Sequence, residues 1–411
     1  MELRQYQKDV LNKIVKSHRG GKTRILLQAA TGSGKTVMAA AFVEYYIKNN
    51  KNVMFLAHRR ELIHQASQTL TKFNIEHGII MASETTGKNV FAAVQVASID
   101  TLRARALSKQ KMDLPSADLL IIDEAHRSMS KTYRKVISLY PDALVLGLTA
   151  TPIRADGAGL GLIYQHMVKA PDIKELTQSG ALCEAVYYSP TIPDLTGLKV
   201  TAGDYNRKSL AKLMEGNTRL VADIIETWFS LAKGKQTLLF ATSVKHSKGL
   251  MESFADKGIA VAHIDGGTEL EERNRILAAF KRKEITIICN CMVLTEGFDA
   301  PSAEVCILAR PTKSKGLYIQ MVGRVLRAFE GKKSATIIDH SGAVYTHGFI
   351  DEDHNWTLSH GLEKASSSGE AKEREESVIV CEGCFRTYSG SNICPDCGQM
   401  HKPKSAYVQT I

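Results

Sequence analysis

The sequence contains no run of about 18 consecutive apolar residues, so it holds no segment of the length that a membrane-spanning helix needs. Its first residues, Met1-Glu2-Leu3-Arg4-Gln5-Tyr6, lack the apolar core of a secretory signal. Of its eight cysteines, four (Cys183, Cys289, Cys291 and Cys306) stand singly within apolar stretches, as small buried side chains do. Nothing in the arrangement suggests a secreted disulfide scaffold. These absences lead us to expect a cytoplasmic protein with no membrane partner. Acidic residues are the minority, 43 Asp and Glu against 53 Lys and Arg, for a formal net charge of +10. That surplus suits a polyanionic partner, because each Lys or Arg placed on a phosphate releases a condensed counterion. An even surplus spread over the surface for solubility would give the same number.

What is present is a chain of 411 residues, 44% of them hydrophobic. It is too long for one compact core and fits two ordinary domains with a small appendage. Short apolar runs at Arg24–Leu27, Val53–Leu56, Leu119–Ile122 and Leu144–Gly147 read as buried parallel strands. Amphipathic segments such as Val37–Lys48 and Arg60–Phe73 lie between them. A second set follows at Thr237–Phe240, Ile259–Ala262, Thr286–Cys289, Val305–Leu308 and Ala335–Ile338. Alternation of this kind implies crossover units and an α/β fold with parallel sheets. The expected organisation is a first domain at residues 1–168, a connecting segment at 169–204 marked by Pro171, Pro190 and Pro193, and a second domain at 205–350. A linker at 351–378, a four-cysteine module at 379–400 and a tail at 401–411 complete it.

Two motifs in the first domain carry chemistry. Ala29-Ala30-Thr31-Gly32-Ser33-Gly34-Lys35-Thr36 follows a strand and opens a helix. Gly32 and Gly34 let the backbone curl so that its N–H groups, Ser33 among them, point at phosphate oxygens. The helix N-terminus adds partial positive charge. Lys35 can reach the terminal phosphates of ATP, and the Thr36 hydroxyl can hold Mg²⁺. Asp123-Glu124-Ala125-His126 follows a second strand. Asp123 would hold Mg²⁺ at the carboxyl edge of the sheet, and Glu124 would orient and deprotonate the attacking water. An isolated acidic pair often just solvates a strand end, and its order after the phosphate loop is what makes it informative.

With these motifs in this order, the sequence resembles the superfamily 2 helicases of the DEAH-box kind over roughly residues 1 to 345, most like bacterial RadD-type and phage helicases. The resemblance implies two RecA-like domains with ATP bound between them. Leu3-Arg4-Gln5-Tyr6-Gln7 is similar to the adenine-reading motif, which gives Gln7 and Arg4 to the nucleotide. His58, Arg59 and Gln65 lie in a segment similar to the first strand-contacting motif, and Ser98 and Thr101 in a second. Leu148-Thr149-Ala150-Thr151-Pro152 resembles the coupling motif, with Thr149, Thr151 and His126 linking nucleotide to strand. In the second domain the resemblance implies strand contacts from Thr242 and Thr295 and a nucleotide contact from Asp299. Gln320-Met321-Val322-Gly323-Arg324-Val325-Leu326-Arg327 is similar to the motif that supplies the catalytic Gln320, Arg324 and Arg327. The two arginines stand three apart, so they are expected on one helical face as arginine fingers.

Cys381-Glu382-Gly383-Cys384 and Cys394-Pro395-Asp396-Cys397 form a CxxC, nine residues, CxxC pattern. Four thiolates at this spacing can close a tetrahedral structural Zn²⁺ site, a zinc-ribbon-like module. Metal would supply the folding energy that so small a segment lacks, and the module could grip nucleic acid or a protein partner. The expected protein is a monomeric ATP-dependent motor, a DNA helicase or translocase of repair, recombination or phage replication. The preference for DNA rests on the resemblance alone. An RNA helicase, the motor of a restriction system and a nucleic-acid-binding adaptor with a relic ATP site are the alternatives.

Overall fold

The computed structural model describes residues 2–82, 89, 91–109, 111–154, 157–191, 193–201, 203–297, 300–359 and 378–401. Asp299, most of the expected linker and nearly all of the tail lie outside the described residues. The described chain forms two units, one running to Asp172 and taking in the segment from His354, the other containing Ile173–Asp353 and the cysteine-bearing segment.

The first unit is a seven-stranded sheet of β1 (Arg24–Gln28), β2 (Val53–Ala57), β3 (Gly78–Ile80), β4 (Val94–Ser98), β5 (Leu119–Asp123), β6 (Leu144–Thr149) and β7 (His166–Lys169). Their order across the sheet is β3-β4-β2-β5-β6-β1-β7, parallel throughout. Helices α1 (Gln5–Arg19), α2 (Lys35–Lys48), α3 (Arg60–Lys72), α4 (Ile99–Leu102) and α5 (Lys131–Ser138) connect or flank the strands. The central strands are apolar on both faces because both are covered. Ile25 and Leu27 of β1 pack with Val10, Ile14, Val43 and Leu62, whereas Leu26 packs with Tyr133, Val136 and Tyr164 on the opposite side. Alternation along one strand therefore feeds two separate cores. The segment near Leu358 belongs to this unit, with Gly161 N–H donating to the Leu358 carbonyl at 2.8 Å.

The second unit begins with α6 (Ile173–Gln178) and β8 (Glu184–Tyr188), then a short hairpin of β9 (Val200–Thr201) and β10 (Asp204–Tyr205). Helices α7 (Arg207–Glu215), α8 (Thr218–Leu231), α9 (Val244–Ala255), α10 (Leu270–Lys281), α11 (Lys315–Val322) and α12 (Ala343–His347) follow. With them come β11 (Thr237–Ala241), β12 (Val261–Ile264), β13 (Ile287–Asn290), β14 (Val305–Ala309), β15 (Ser334–Asp339), β16 (Ile379–Val380) and β17 (Arg386–Tyr388). The sheet order is β12-β13-β11-β14-β15-β8-β17-β16. The strands from β12 to β8 are parallel, and β17 and β16 continue antiparallel.

Two of the expected segments outside the domains contribute strands to the second sheet. Residues 169–204 are not a plain connector, because β8 pairs with β15 from Glu184↔Ser334 to Tyr188↔Ile338 and enlarges the sheet. The prolines that suggested a connector flank this strand without interrupting it, as a paired strand requires. The four-cysteine module joins the same sheet, since β17 pairs with β8 at Thr387↔Tyr187 and Arg386↔Tyr188.

Gly147 lies in the middle of β6 between β1 and β5, and a Cβ there would come within 2.4–2.7 Å of the buried Tyr164 ring and hydroxyl. Gly147→Ala is expected to destabilise the first unit by about 1–3 kcal/mol through overpacking, read as a lower thermal midpoint. An unchanged midpoint would mean that the Tyr164 ring moves aside without cost.

Candidate nucleotide and nucleic-acid site

A parallel sheet delivers all its strand ends to one edge, and in the first unit the chemistry-bearing loops leave that edge from neighbouring strands. Register pairs Gln28 of β1 with Thr149 of β6, and Leu148 of β6 with Asp123 of β5. Strands pack about 4.8 Å apart, so the phosphate loop and Asp123 leave the sheet about 10 Å from each other, with Thr149 between. Main chain fixes this further: Ala29 N–H donates to the Thr149 carbonyl at 3.0 Å, and the Gln28 side chain donates to the Ala150 carbonyl at 3.2 Å.

The phosphate loop turns through Gly32 and Gly34, whose φ values of 86° and 83° fall in the left-handed region. Gly34 caps α2 and abuts Gln7, and a Cβ there would meet the Gln7 amide nitrogen at 2.5 Å. The Ser33 hydroxyl donates to the Ala30 carbonyl at 2.7 Å, and the Ser33 carbonyl accepts from Tyr6 at 2.7 Å and from Gln7 at 3.2 Å. Lys35 Nζ donates to the Ala29 and Ala30 carbonyls at 3.0 and 3.2 Å, folding over the loop it belongs to. Thr36 sits in the first turn of α2. The Gln7 side-chain oxygen accepts from Arg4 N–H at 3.0 Å, so its amide braces both α1 and the loop. An amide has one further donor and one further acceptor position, which is what reading an adenine edge requires. Tyr6, which sequence reasoning passed over, is therefore a support of the loop, and its position beside Gln7 was the available signal.

Asp123 ends β5 and Glu124 follows in the left-handed region at φ 51°, with its N–H donating to Asp123 Oδ1 at 2.9 Å. Both carboxylates are buried. A non-glycine residue at positive φ is strained and is common at functional sites. His126 Nδ1 stands 3.3 Å from Glu124 Oε2. The buried Thr149 hydroxyl donates to the Thr151 carbonyl at 3.0 Å and accepts Thr151 N–H at 3.1 Å, which stiffens the coupling segment.

Of the expected strand contacts of this unit, His58, Arg59 and Ser98 stand at the same edge. His58 and Arg59 follow β2, and Gln65 lies within α3. Ser98 ends β4 in register with Ala57 of β2. Its Oγ accepts Thr101 N–H at 3.4 Å as the cap of α4, which leaves the hydroxyl proton for an acceptor such as a phosphate.

In the second unit, Thr242 follows β11, and its hydroxyl meets His246 Nδ1 at 3.0 Å while its N–H points to the same nitrogen at 3.5 Å. The Thr295 hydroxyl donates to the Met292 carbonyl at 3.1 Å. Both hydroxyls thus bond within their own unit. The buried Arg324 donates through Nε to the Thr295 carbonyl at 3.2 Å, and its Nη2 reaches the same oxygen. The expected shared helical face for Arg324 and Arg327 is not formed. Helix α11 carries Gln320 but ends at Val322, Arg324 lies in the following turn, and Arg327 is extended and bridged to Leu182. Gly323 is the C-cap of α11, and the apolar Val325 and Leu326 beyond it are buried outside the helix.

The family described as "Type III restriction enzyme, res subunit" matches residues 1–154, and "Helicase conserved C-terminal domain" matches residues 218–329. A 51.5 kDa protein of a Lactococcus phage is 30% identical over 91% of this chain and 75% of its own length. IRC3 of Saccharomyces cerevisiae, named as a candidate ATP-dependent helicase, is 35% identical over 83% of this chain. The chain belongs to the superfamily 2 helicase family. It spans 52% of the length of IRC3. A DNA 3'-5' translocase, XPB2 of Sulfurisphaera tokodaii, is 24% identical over 82% of this chain and 81% of its own. A fragment of a candidate HsdR subunit of a type I restriction enzyme from Vibrio vulnificus has the same fold, with a TM-score of 0.66 at 22% identity, covering 85% of this chain and 67% of that one. The two sheets of the helicase are accordingly RecA-like. Among the described residues, no helix is long and apolar enough to cross a membrane.

The helicase also carries the four cysteines as a cluster, with all four Sγ atoms within 4.8 Å of one another. Cys381 and Cys397 Sγ are 3.4 Å apart, and Cys384 and Cys394 Sγ 3.6 Å. The two CxxC loops repeat one turn. Phe385 N–H donates to the Cys381 carbonyl at 2.8 Å and Gly398 N–H to the Cys394 carbonyl at 3.0 Å, each with positive φ. Burial raises the Cys394 thiol, but the amides of Cys397 and Asp396 and the thiols of Cys384 and Cys397 together lower it to about 7.

Burial pushes His246 down to about 4 and His340 to about 3. The unfolded chain takes up these protons near pH 6.5, whereas the folded unit resists them until the lower values. Stability of the second unit is therefore complete above pH 6.5 and is lost as pH falls toward 4. Thermal unfolding across this window should show the loss, and His246→Gln should make it shallower. A midpoint independent of pH between 6.5 and 4 would contradict the burial argument.

Proposed function

We propose that this helicase is an ATP-driven motor on DNA. The observation that carries the reading is the placement of the phosphate loop, Asp123-Glu124 and Thr149–Thr151 at the ends of three neighbouring parallel strands, β1, β5 and β6. In this reading Lys35 holds the terminal phosphates, Gln7 and Arg4 attend the base, and Glu124 takes the proton of the attacking water. Thr36 and Asp123 suit Mg²⁺ as a hydroxyl and a carboxylate at one sheet edge, and the metal would offset charge on the phosphates. Arg324 and Arg327 stabilise the charge that develops as the phosphate bond breaks, and Gln320 supports them. His58, Arg59, Gln65, Ser98, Thr101, Thr242 and Thr295 hold the strand by its backbone, and His126, Thr149 and Thr151 relay the state of the nucleotide to it.

DNA is favoured over RNA because relatives include a DNA translocase and the "ATP-dependent DNA helicase uvsW" of phage T4, 23% identical over 89% of this chain. A role in repair or recombination of the RadD-type kind, or in phage replication, in a reducing cytoplasm, extends the same reading. The cysteine cluster fits Zn²⁺: bonds of about 2.3 Å in a tetrahedron place sulfurs about 3.8 Å apart, close to the observed pairs. Zinc there would be structural and would leave the module surface to nucleic acid or a partner protein.

ATPase measured with single-stranded, duplex, forked and four-way DNA, with matched RNA alongside, tests the reading. DNA should stimulate more than RNA, and stronger stimulation by RNA would overturn the DNA preference. Lys35→Ala and Glu124→Gln should abolish turnover, with Glu124→Gln still binding ATP, and Arg324→Ala or Arg327→Ala should cost about 10³-fold or more in kcat. Full turnover in Lys35→Ala would overturn the role given to Lys35, and a wild-type chain that binds nucleic acid without hydrolysing ATP would be a binding adaptor with a relic site. For the metal, purified protein should carry one zinc per chain, and Cys394→Ser should lose it together with thermal stability.

A further inference from the structure

Strand β8 lies outside the residues matched by either family, yet it touches the arginine-bearing segment and the cysteine cluster together. Just before it, Cys183 N–H donates to the Leu326 carbonyl at 2.7 Å and Leu182 bridges Arg327. Within it, Tyr187 and Tyr188 point to opposite faces of the sheet. Tyr187 is wholly buried and meets the Tyr318 hydroxyl of α11 at 2.7 Å. Proton inventory sets the direction of this chain of bonds. Ile350 N–H donates to Tyr187 Oη at 3.2 Å, and the Tyr318 proton goes to the Gly348 carbonyl at 3.0 Å. The Tyr187 proton therefore goes to Tyr318 Oη, and every group is satisfied. His347 stacks on the Tyr318 ring with centroids 5.2 Å apart and contacts the Thr312 carbonyl at 2.9 Å. On the other face, the Tyr188 hydroxyl donates to Asp396 Oδ2 at 2.6 Å, inside the second CxxC loop, and Arg386 of β17 lies over the Tyr188 ring.

We propose that Tyr187 and Tyr318 are positioning residues that fix helix α11 and the arginine turn after it, and that Tyr188 clamps the cysteine cluster to the same strand so that the cluster's fold is felt at α11. For Tyr187 and Tyr318 the physical basis is that a buried hydrogen-bonded network has one arrangement in which all members are satisfied, and removing a hydroxyl leaves its partners unpaired. The exposed Tyr188–Asp396 bond acts beside the main-chain pairing of β8 with β17. The catalytic part of this inference rests on the ATPase reading given above, and its structural part does not.

The test uses the full chain with its metal and compares Tyr187→Phe, Tyr318→Phe and Tyr188→Phe with wild type. Amide exchange across residues 315–322 should rise about tenfold in Tyr187→Phe and Tyr318→Phe, with α9 unchanged. Tyr188→Phe should retain bound zinc and raise exchange in both β17 and α11. Nucleic-acid-stimulated kcat should fall about 5–20-fold in Tyr187→Phe, with KM for ATP within about twofold. Unchanged α11 exchange in Tyr187→Phe and Tyr318→Phe, or an equal rise in α9, would overturn the positioning role. A response of β17 without α11 in Tyr188→Phe would overturn the link to the cluster. A wild-type chain with no stimulated ATPase would sink the motor reading alone, and the exchange comparison would still decide this proposal.

Discussion

The main-chain pairing of β1, β6 and β5 is the constraint on which the first unit's chemistry depends. Its backbone hydrogen bonds place Gln28 opposite Thr149 and Leu148 opposite Asp123. No side-chain contact between the phosphate loop and the acidic pair is needed to bring them to one edge. The side chains then refine what the sheet has set. Ser33 receives two donors from α1, and Thr149 closes its own loop through Thr151. The strained Glu124 is tolerated because the buried strand before it and the hydrogen bond to Asp123 over-determine its backbone.

The second unit adds to the same plan a strand that the helicase family segment does not contain. Strand β8 extends the parallel sheet beyond β15 and then accepts an antiparallel partner from the cysteine segment. A module with so few buried apolar side chains, chiefly Tyr388 with the cysteines themselves, gains a sheet to lean on. Clustering of four cysteines and extension of a β-sheet are usually separate devices. Here Tyr188 and Asp396 join them through one hydrogen bond.

Most of the first unit was legible in the sequence because its strands are continuous apolar runs and its loops carry residues with special backbone needs. Gly32 and Gly34 take the positive φ that their place in the motif implied. Strand limits in the second unit moved by one or two residues, as with β12 at Val261–Ile264. The strand Glu184–Tyr188 was missed because nearby prolines dominate the local pattern and its partners lie roughly 150 and 200 residues further along the chain, a pairing that periodicity does not encode. The arginine segment was misread for a related reason. Spacing of three is helical only if the helix continues, and α11 ends at Val322 with Gly323 as its C-cap. The clustering of the four cysteines was legible in their spacing, but the place of their segment in a sheet was not.

The polar groups expected to meet ligands already hold bonds of their own, and this shapes what a ligand can do. Lys35 is held by the Ala29 and Ala30 carbonyls, Thr242 by His246, Thr295 by Met292, and Arg324 by the Thr295 carbonyl. A phosphate that recruits Lys35 exchanges one set of bonds for another, so its net gain is the difference between the two and not their sum. An exchange of this kind favours a change of state, because the ligand binds one arrangement better than the other. The Arg324–Thr295 bond is the most consequential of them. Thr295 is an expected strand contact and Arg324 an expected phosphate contact, and they meet through one carbonyl oxygen. If those expected roles hold, drawing the guanidinium toward a phosphate would remove its bonds to the Thr295 carbonyl, so the two contacts would not be independent of each other.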